Sequence, residues 1–568
     1  MAGCHMLCRA QPAFSQEKDM KTVYYNGNII TLEGDNIQAF AVENGRFIKT
    51  GTDSQVKEAA ADGEMVDLGG KTVLPAFFET HMHILSLGML LKDINHNDCD
   101  SITGLIEKSR KYIEDHHVPA GKWVRGRGRN QDHFKDEARF ITRYDLDKIT
   151  TEHPLCFVRT CGHVIVTNSK GLEMIGMENS APHIDGGQID LDENGVPLGI
   201  FRERARACIL DAIPEQEVEE IKELILLAQD EAAAHGIVEI HSDDFKDVPT
   251  NYKKVIQAYT ELIEEGKLKI RVYEQCNLPA VEKIQDFLDN GYHTGWNLGE
   301  GMYTLGPLKL LSDGALGART AYLNAPYSDD PSQRGMLLFT TENLRAMVKM
   351  CHEAGMQIAI HAIGDGAVDE VMDAIEEAQQ NWPRLNERHG IIHCQVTTPA
   401  QLERMKKLNL IAYIQPIFLN YDLKILDDRL GPERAATAYD WKSFFDFGLH
   451  PTGSSDCPVE SLNVMENIYA AMVRKDLDGN PAGGWKPEQD LTLDQALRLF
   501  TINSAYACFC EESKGSIKIG KSADFVVIDR DIQKTIPDDI KDIKVEQTYL
   551  RGKKIFDIAD QPDSITEK

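Results

Sequence analysis

No stretch of this 568-residue chain approaches 18 consecutive apolar residues, so no membrane-spanning helix is expected. Basic residues are scarce beside acidic ones: 61 Lys and Arg face 90 Asp and Glu, a formal charge of −29. Such a surface repels phosphate, which argues against nucleic acid and anionic membrane as partners. A dense cysteine framework is also missing. The twelve cysteines are scattered along the whole length, which excludes a small disulfide-stapled scaffold and reads as reduced, mostly buried thiols of a cytoplasmic protein. Cys508 and Cys510 stand too close in the chain for an easy bridge. The opening MAGCHMLCRAQPAFSQ carries its arginine inside its only weakly apolar part and makes a poor signal peptide. Residues 1–20 read as a disordered start. What remains is ordinary globular composition, 42% hydrophobic and 27% charged, at a length that calls for one large domain plus a smaller one.

No internal repeat or low-complexity tract divides the chain. The two ends share a character instead. Residues 22–34, 38–50 and 64–74 are short β-rich runs separated by NG and GG turns, and 515–531 and 545–557 match them in style. Residues 21–72 and 511–560 are therefore expected to form one small composite β-sandwich around residues 73–510. In that middle, β-rich runs alternate with helical stretches, the pattern of a parallel α/β sheet. Strands are predicted at 72–79, 236–241, 269–275, 304–311, 357–361, 390–394, 410–415 and 450–455. Eight such strands with helices between most of them point to a (β/α)8 TIM barrel. The helical stretches 217–236 and 342–355 close on glycine, a frequent helix terminus. Residues 100–210 are too long for one βα connection and read as an inserted subdomain after the first strand, over the barrel face that carries active sites.

Polar residues at the predicted strand ends carry the functional signal. LPAFFETHMH (74–83) places His81 and His83 two residues apart, and along a strand such residues point to the same side. Alone the pair reads more readily as two loop histidines. Lys309 interrupts the otherwise apolar GPLKLL, His361 ends IAIH, His393 ends GIIH, and Asp456 follows TGSS. Each has a bland alternative, whether a core histidine, a snorkelling lysine or a turn aspartate. Six such residues on five strands of one barrel, all near one rim, point to a metal site. Gly314, Gly364 and Gly453 read as tight βα turns beside it.

This pattern resembles the amidohydrolase superfamily, and more narrowly amidohydrolase family 3, which includes N-substituted formamide deformylase. The matching stretches are LPAFFETHMH, RTCGHVIVTNSKGL (159–172), LKLLSDGALGARTA (308–321), IHAIGDGAVDEVMDAI (360–375), RHGIIHC (388–394), GSSDCPV (453–459), ALRLFTINSAYA (496–507) and GSIKIGKSADFVVID (515–529). There are departures from that family. Ala76 stands where a glycine is usual and Glu79 where an aspartate is usual, and the insertion reads GRGRNQD (126–132) in place of a tryptophan-bearing turn. Arg127 and Arg129 there argue against carrying the family's substrates over.

The resemblance implies a hydrolase acting on carbon–nitrogen bonds other than peptide bonds, of amide or formamide type, through hydroxide generated on a divalent metal, Zn²⁺ above all. It implies that His81, His83 and Asp456 hold one ion, that His361 and His393 hold a second, and that Lys309 bridges them as a carbamate. An unmodified Lys309 with a single ion is the rival reading. Asp456 is expected to act as general base and then acid. For substrate contact the candidates are His163, Asn168, Glu203, Asp313 and Arg319, each with an alternative: a structural role for His163 and Asn168, a helix cap for Glu203, and an ion pair for Asp313 and Arg319. Arg388, before the His393 strand, reads as a structural ion pair. The expected partner is a small-molecule substrate, with a homodimer as the compatible assembly. A cyclic amidohydrolase or deaminase would use the same ligands, and a binding protein that has lost its chemistry is the alternative of another class.

Overall fold

The computed structural model describes residues 21–129, 134–137, 139–159, 164–184, 187–246 and 248–561. The proposed start at 1–20 and His163 lie outside the described residues. Two compact units share the chain. One holds the described residues up to His83, Gln229–Asp244 and those from Tyr259 on; the other holds Ile84–Ala228 and Phe245–Ala258.

The first unit contains the barrel. Its strands are β1 (Phe77–Met82), β2 (Ile237–Ser242), β3 (Arg271–Asn277), β4 (Tyr303–Leu311), β5 (Ile358–Ala362), β6 (Gly390–His393), β7 (Ile411–Ile414) and β8 (Thr452–Gly453). Each pairs in parallel with the next in chain order. Buried parallel strands need apolar runs on both faces, which IAI of β5, GII of β6 and IAYI of β7 supply. Closure of β8 on β1 rests on polar contacts: Thr80 Oγ1 donates to Thr452 Oγ1 and Gly453 O at 2.9 Å each, and Asp456 N donates to His81 O at 2.9 Å. The helices Thr341–Glu353 and Pro399–Lys407 begin on Thr340 and Thr398, whose hydroxyls cap their first turns. The glycine after the former, Gly355, has φ +85°, as the sequence suggests for a helix end.

The predicted strand 72–79 is two strands. Ala76 N donates to Asp524 O, whereas Phe77 N donates to Gly236 O. The backbone therefore leaves one sheet and joins another between these neighbours, just after Pro75, which has no N–H to give. Thr72–Pro75 belongs to a five-stranded sheet with Asn28–Ile29, Phe525–Ile528, Val545–Leu550 and Lys553–Asp557. A four-stranded sheet of Arg46–Gly51, Ala39–Glu43, Thr22–Tyr25 and Glu64–Asp67 supplies the rest of its core. Tyr24, Phe40, Phe47, Phe525 and Tyr549 pack there, Phe525 stacked on Tyr549 with ring centroids 4.2 Å apart.

The second unit is built on a six-stranded sheet, in the order Gly187–Leu191, Pro197–Glu203, Val164–Val166, Leu155–Arg159, Val124–Arg129, Ile94–Asn95. Its strands alternate between two cores. Leu155 and Phe157 join one with Leu105 and Leu146, and Cys156 joins the other with Phe201 and Ile209.

Candidate metal centre

His81 is the fifth residue of β1 and His83 follows its end, so the strand aims both imidazoles at the rim. Two donated bonds from the backbone hold this end to the segment after β8: Asp456 N to His81 O and His83 N to Cys457 O, 2.8 Å. Glu79 locks the same junction from behind. Its carboxyl accepts from His81 N at 3.0 Å and from Ser455 N and Oγ. Burial pushes the Glu79 carboxyl up to about 8, with the nearby Asp456 charge adding to the rise and these hydrogen bonds opposing it.

The locked segment delivers Asp456. Its Oδ1 lies 3.1 Å from His83 Nε2 and 3.3 Å from His81 Nε2, and its Oδ2 lies 4.0 Å from His393 Nε2. Asp456 has φ +58°, a left-handed conformation that costs of order 1–3 kcal/mol for a residue with a Cβ and recurs where a site dictates the backbone. Burial works against the Asp456 charge, and the hydrogen bond with His83 is among the contacts that outweigh it and hold the carboxyl far below its usual range. Burial, then the Lys309 ammonium, keeps His81 neutral, and burial and His361 do the same for His393. Neutral imidazoles and an ionised carboxylate are what a divalent ion requires.

Two glutamines that sequence reasoning missed set the tautomers. His81 Nδ1 lies 2.6 Å from Gln275 Oε1, and the Gln275 amide nitrogen donates to Thr80 O. His393 Nδ1 lies 2.8 Å from Gln415 Oε1, whose amide nitrogen donates to Tyr413 O and Ser454 Oγ. With the NH2 groups committed, each amide oxygen can only accept. The Nδ1 atoms must donate, and the Nε2 lone pairs are left for a metal. Both glutamines end strand runs that the sequence marks, KIRVYEQ and LIAYIQ.

Among the described residues, the donor atoms of His81, His83 and Asp456 all lie within 4.8 Å of one another. Lys309, 1% exposed on β4, puts Nζ 3.1 Å from His81 Nε2 and 3.8 Å from Asp243 Oδ2. Asp243, a third residue missed from sequence, also accepts from Asn277 Nδ2 at 3.1 Å. His361 stacks edge-on against His393 with centroids 4.4 Å apart, and its Nε2 is turned to Gly314 O and Asp313. All six sequence candidates thus share one neighbourhood, with His81, His83 and Asp456 as its tightest part.

The substrate candidates fare differently. Asp313 is fully buried, and its carboxylate accepts from the backbone N–H groups of Tyr322, Ile363 and Gly364. It knits the loop after β4 to the loop after β5 and backs His361. Arg319 forms a two-pronged pair with Asp329. Asn168 belongs to the second unit. It accepts from Leu155 N and Gly171 N and donates to Thr150 O and His153 O. Its amide is fully used in capping the helix Ser169–Met174, which corrects the expectation of substrate contact. Glu203, also in the second unit, is exposed at a strand end with φ +49°. Gly453 is required for space and not for a turn, since a Cβ there would lie 2.5 Å from the Phe500 ring. At Gly364 a Cβ would lie 2.1 Å from Tyr322 O, so that glycine lets the two loops close on each other.

Comparison with known proteins agrees with this geometry. A profile of the Amidohydrolase family matches residues 64–556. The chain is 30% identical to the YtcJ protein of Bacillus subtilis over 95% of its own length and 100% of that protein. It is 26% identical to N-substituted formamide deformylase of Arthrobacter pascens, over 95% of this chain and 98% of that one. Among solved structures, an uncharacterized metal-dependent hydrolase from Pyrococcus furiosus superposes with a TM-score of 0.76 at 30% identity, covering 90% of this chain and 99% of that one.

Proposed function

The chain belongs to the amidohydrolase family, and from that premise we propose that it hydrolyses a carbon–nitrogen bond of amide or formamide type in a small molecule. One observation carries the reading: Asp456 Oδ1 stands 3.1 and 3.3 Å from two imidazole nitrogens, at least one of them stripped of its proton by an amide partner. A divalent ion held by these donors, Zn²⁺ being the one their chemistry suits best, would supply an acidified water and a Lewis acid for the substrate carbonyl.

The chain's own groups do the rest. His81, His83 and Asp456 would hold one ion, with His361 and His393 available to a second. Asp456 Oδ1 faces both imidazoles, which leaves Oδ2 to take a proton from the attacking water and return it to the departing nitrogen. The lysine on β4 is buried against His81. As the neutral amine it would combine with CO2, losing a proton and gaining a carboxylate that could serve as a further ligand. The deformylase relative supports an open-chain formamide as the first substrate class to try.

The test is a panel of N-substituted formamides, simple amides and cyclic imides, assayed on protein of measured metal content. Release of amine and acid from an open-chain substrate supports the reading. Turnover restricted to ring opening or to deamination of a heterocycle would replace it.

A further inference from the structure

At the opposite, N-terminal end of the barrel, a second cluster takes no part in the chemistry above. Glu239 is the third residue of β2 and is buried at 3% exposure. Its carboxylate lies within 4.8 Å of the sulfurs of both Cys508 and Cys510, which are likewise within 4.8 Å of each other. Cys508 Sγ donates to Glu239 Oε1 at 3.5 Å, and Cys510 Sγ donates to Cys508 O at 3.1 Å. Lys514 Nζ donates to the other Glu239 oxygen at 2.5 Å, and Arg271 Nη1 lies 3.8 Å from it.

The turn that joins the two cysteines is built for a short reach. Phe509 between them has φ +59°. A helical residue of either hand leaves its neighbours' Cα atoms about 5.4 Å apart, given a 1.5 Å rise and a 2.3 Å radius. That span falls inside the range a disulfide accepts, and an extended residue would exceed it or sit at its edge. The proximity in sequence that argues against an easy bridge is thus overcome by the left-handed residue at the centre of the turn. Phe509 is 40% exposed and Cys510 is partly exposed, whereas Cys508 is buried at 5%. One sulfur is therefore open to a small oxidant and the other waits behind it. The segment is also held firmly. Arg388 pairs with Glu511 at 2.6 Å and lies over the rings of Tyr506 and Phe509, and Gln357 donates to Ala507 O.

We propose that Cys508 and Cys510 form a reversible thiol–disulfide site, oxidised by peroxide, at the floor of the barrel. The Cys510 thiolate attacks a peroxide oxygen, breaking the O–O bond, forming sulfenic acid and releasing hydroxide. The Cys508 thiolate then attacks that sulfur and expels a second hydroxide, which leaves the S–S bond. Each thiol gives up one proton, so two thiols and one hydrogen peroxide yield one disulfide and two waters. The surroundings favour this division of labour. Cys508 pulls Cys510 down, burial opposes, and the Lys514 ammonium adds to the fall, while Cys508 is pushed up. The same cations disfavour a divalent ion here, because Lys514 and Arg271 already occupy the negative side of Glu239.

The test uses the metal-loaded full-length protein treated with hydrogen peroxide under conditions that preserve its fold, followed by alkylation and peptide mass mapping. The expected result is the loss of two titratable thiols per chain, with the peptide holding both cysteines lighter by two hydrogens and restored by a dithiol reductant. In Cys508→Ser the Cys510 sulfenic acid should be captured by a dione probe, and in Cys510→Ser the two-thiol loss should vanish. The proposal is overturned if both cysteines remain free in the parent protein. It is equally overturned if Cys510 proceeds to sulfinic acid without bridging, or if the lost thiols map elsewhere.

Discussion

Gln275 presents its amide oxygen to His81 at 2.6 Å because its own amide nitrogen is anchored on Thr80 O. Glutamine thus decides which nitrogen of a candidate metal ligand carries the proton, with no charge of its own. Gln275→Leu should weaken metal affinity by about 10–100-fold with the fold intact. Competition against a chromogenic chelator measures this, and unchanged affinity would remove Gln275 from the site.

Asp456→Asn keeps the shape of the side chain but removes the proton acceptor. Turnover should fall by about 10²- to 10⁴-fold, while the far-UV spectrum and thermal midpoint change little. Near-parental kcat on a true substrate would show that the proton goes elsewhere.

Stripping the metal with a chelator should abolish hydrolysis, and a divalent ion should restore it. Because an ion bound only by the folded chain stabilises it, the thermal midpoint should rise with added metal, by the equivalent of about 4 kcal/mol at a thousandfold excess over Kd. A midpoint that ignores metal would count against the centre.

Asp422 supplies a pH prediction away from the centre. Burial lifts its carboxyl to about 6 from its usual 3.8, opposed by the hydrogen bond from Tyr439. A raised carboxyl costs nothing while protonated. The cost appears as pH rises through the unfolded value and is complete above the folded one, at about 3 kcal/mol. Asp422→Asn should therefore be more stable than the parent by about 2 kcal/mol near pH 8, after about 1 kcal/mol for the weaker acceptor. In urea unfolding the two should cross between about pH 4 and 5, with the parent the more stable below that.

The six ligand candidates were legible because a titratable group ending an apolar strand breaks a simple pattern. Gln275 and Gln415 end such strands too, but an amide carries no charge to draw notice, and its role depends on which way its oxygen faces. Asn168 was open to two readings. It stands just before SKGLEM and three residues ahead of Gly171, a capping arrangement, and it also lies in the insertion expected over the barrel mouth. The division of 72–79 was hidden because a strand passing from one sheet to another keeps the same apolar alternation. The eight-strand barrel was readable because most of its strands carry apolar runs and most are separated by helices. The ion pair expected at Arg388 is present, with Glu511 as its partner.

Thr80 and Thr452 close the barrel across a separation of 372 residues, and His83 meets Asp456 across 373. On a ribosome, at about 5–20 residues per second, His81 and His83 emerge roughly 20 to 75 seconds before their carboxylate exists. An ion captured earlier would sit on a bare histidine pair, open to any soft competitor in the cell. The set of His81, His83 and Asp456 is therefore complete only late in synthesis, and any choice of metal there would fall to the assembled barrel and not to the early nascent chain.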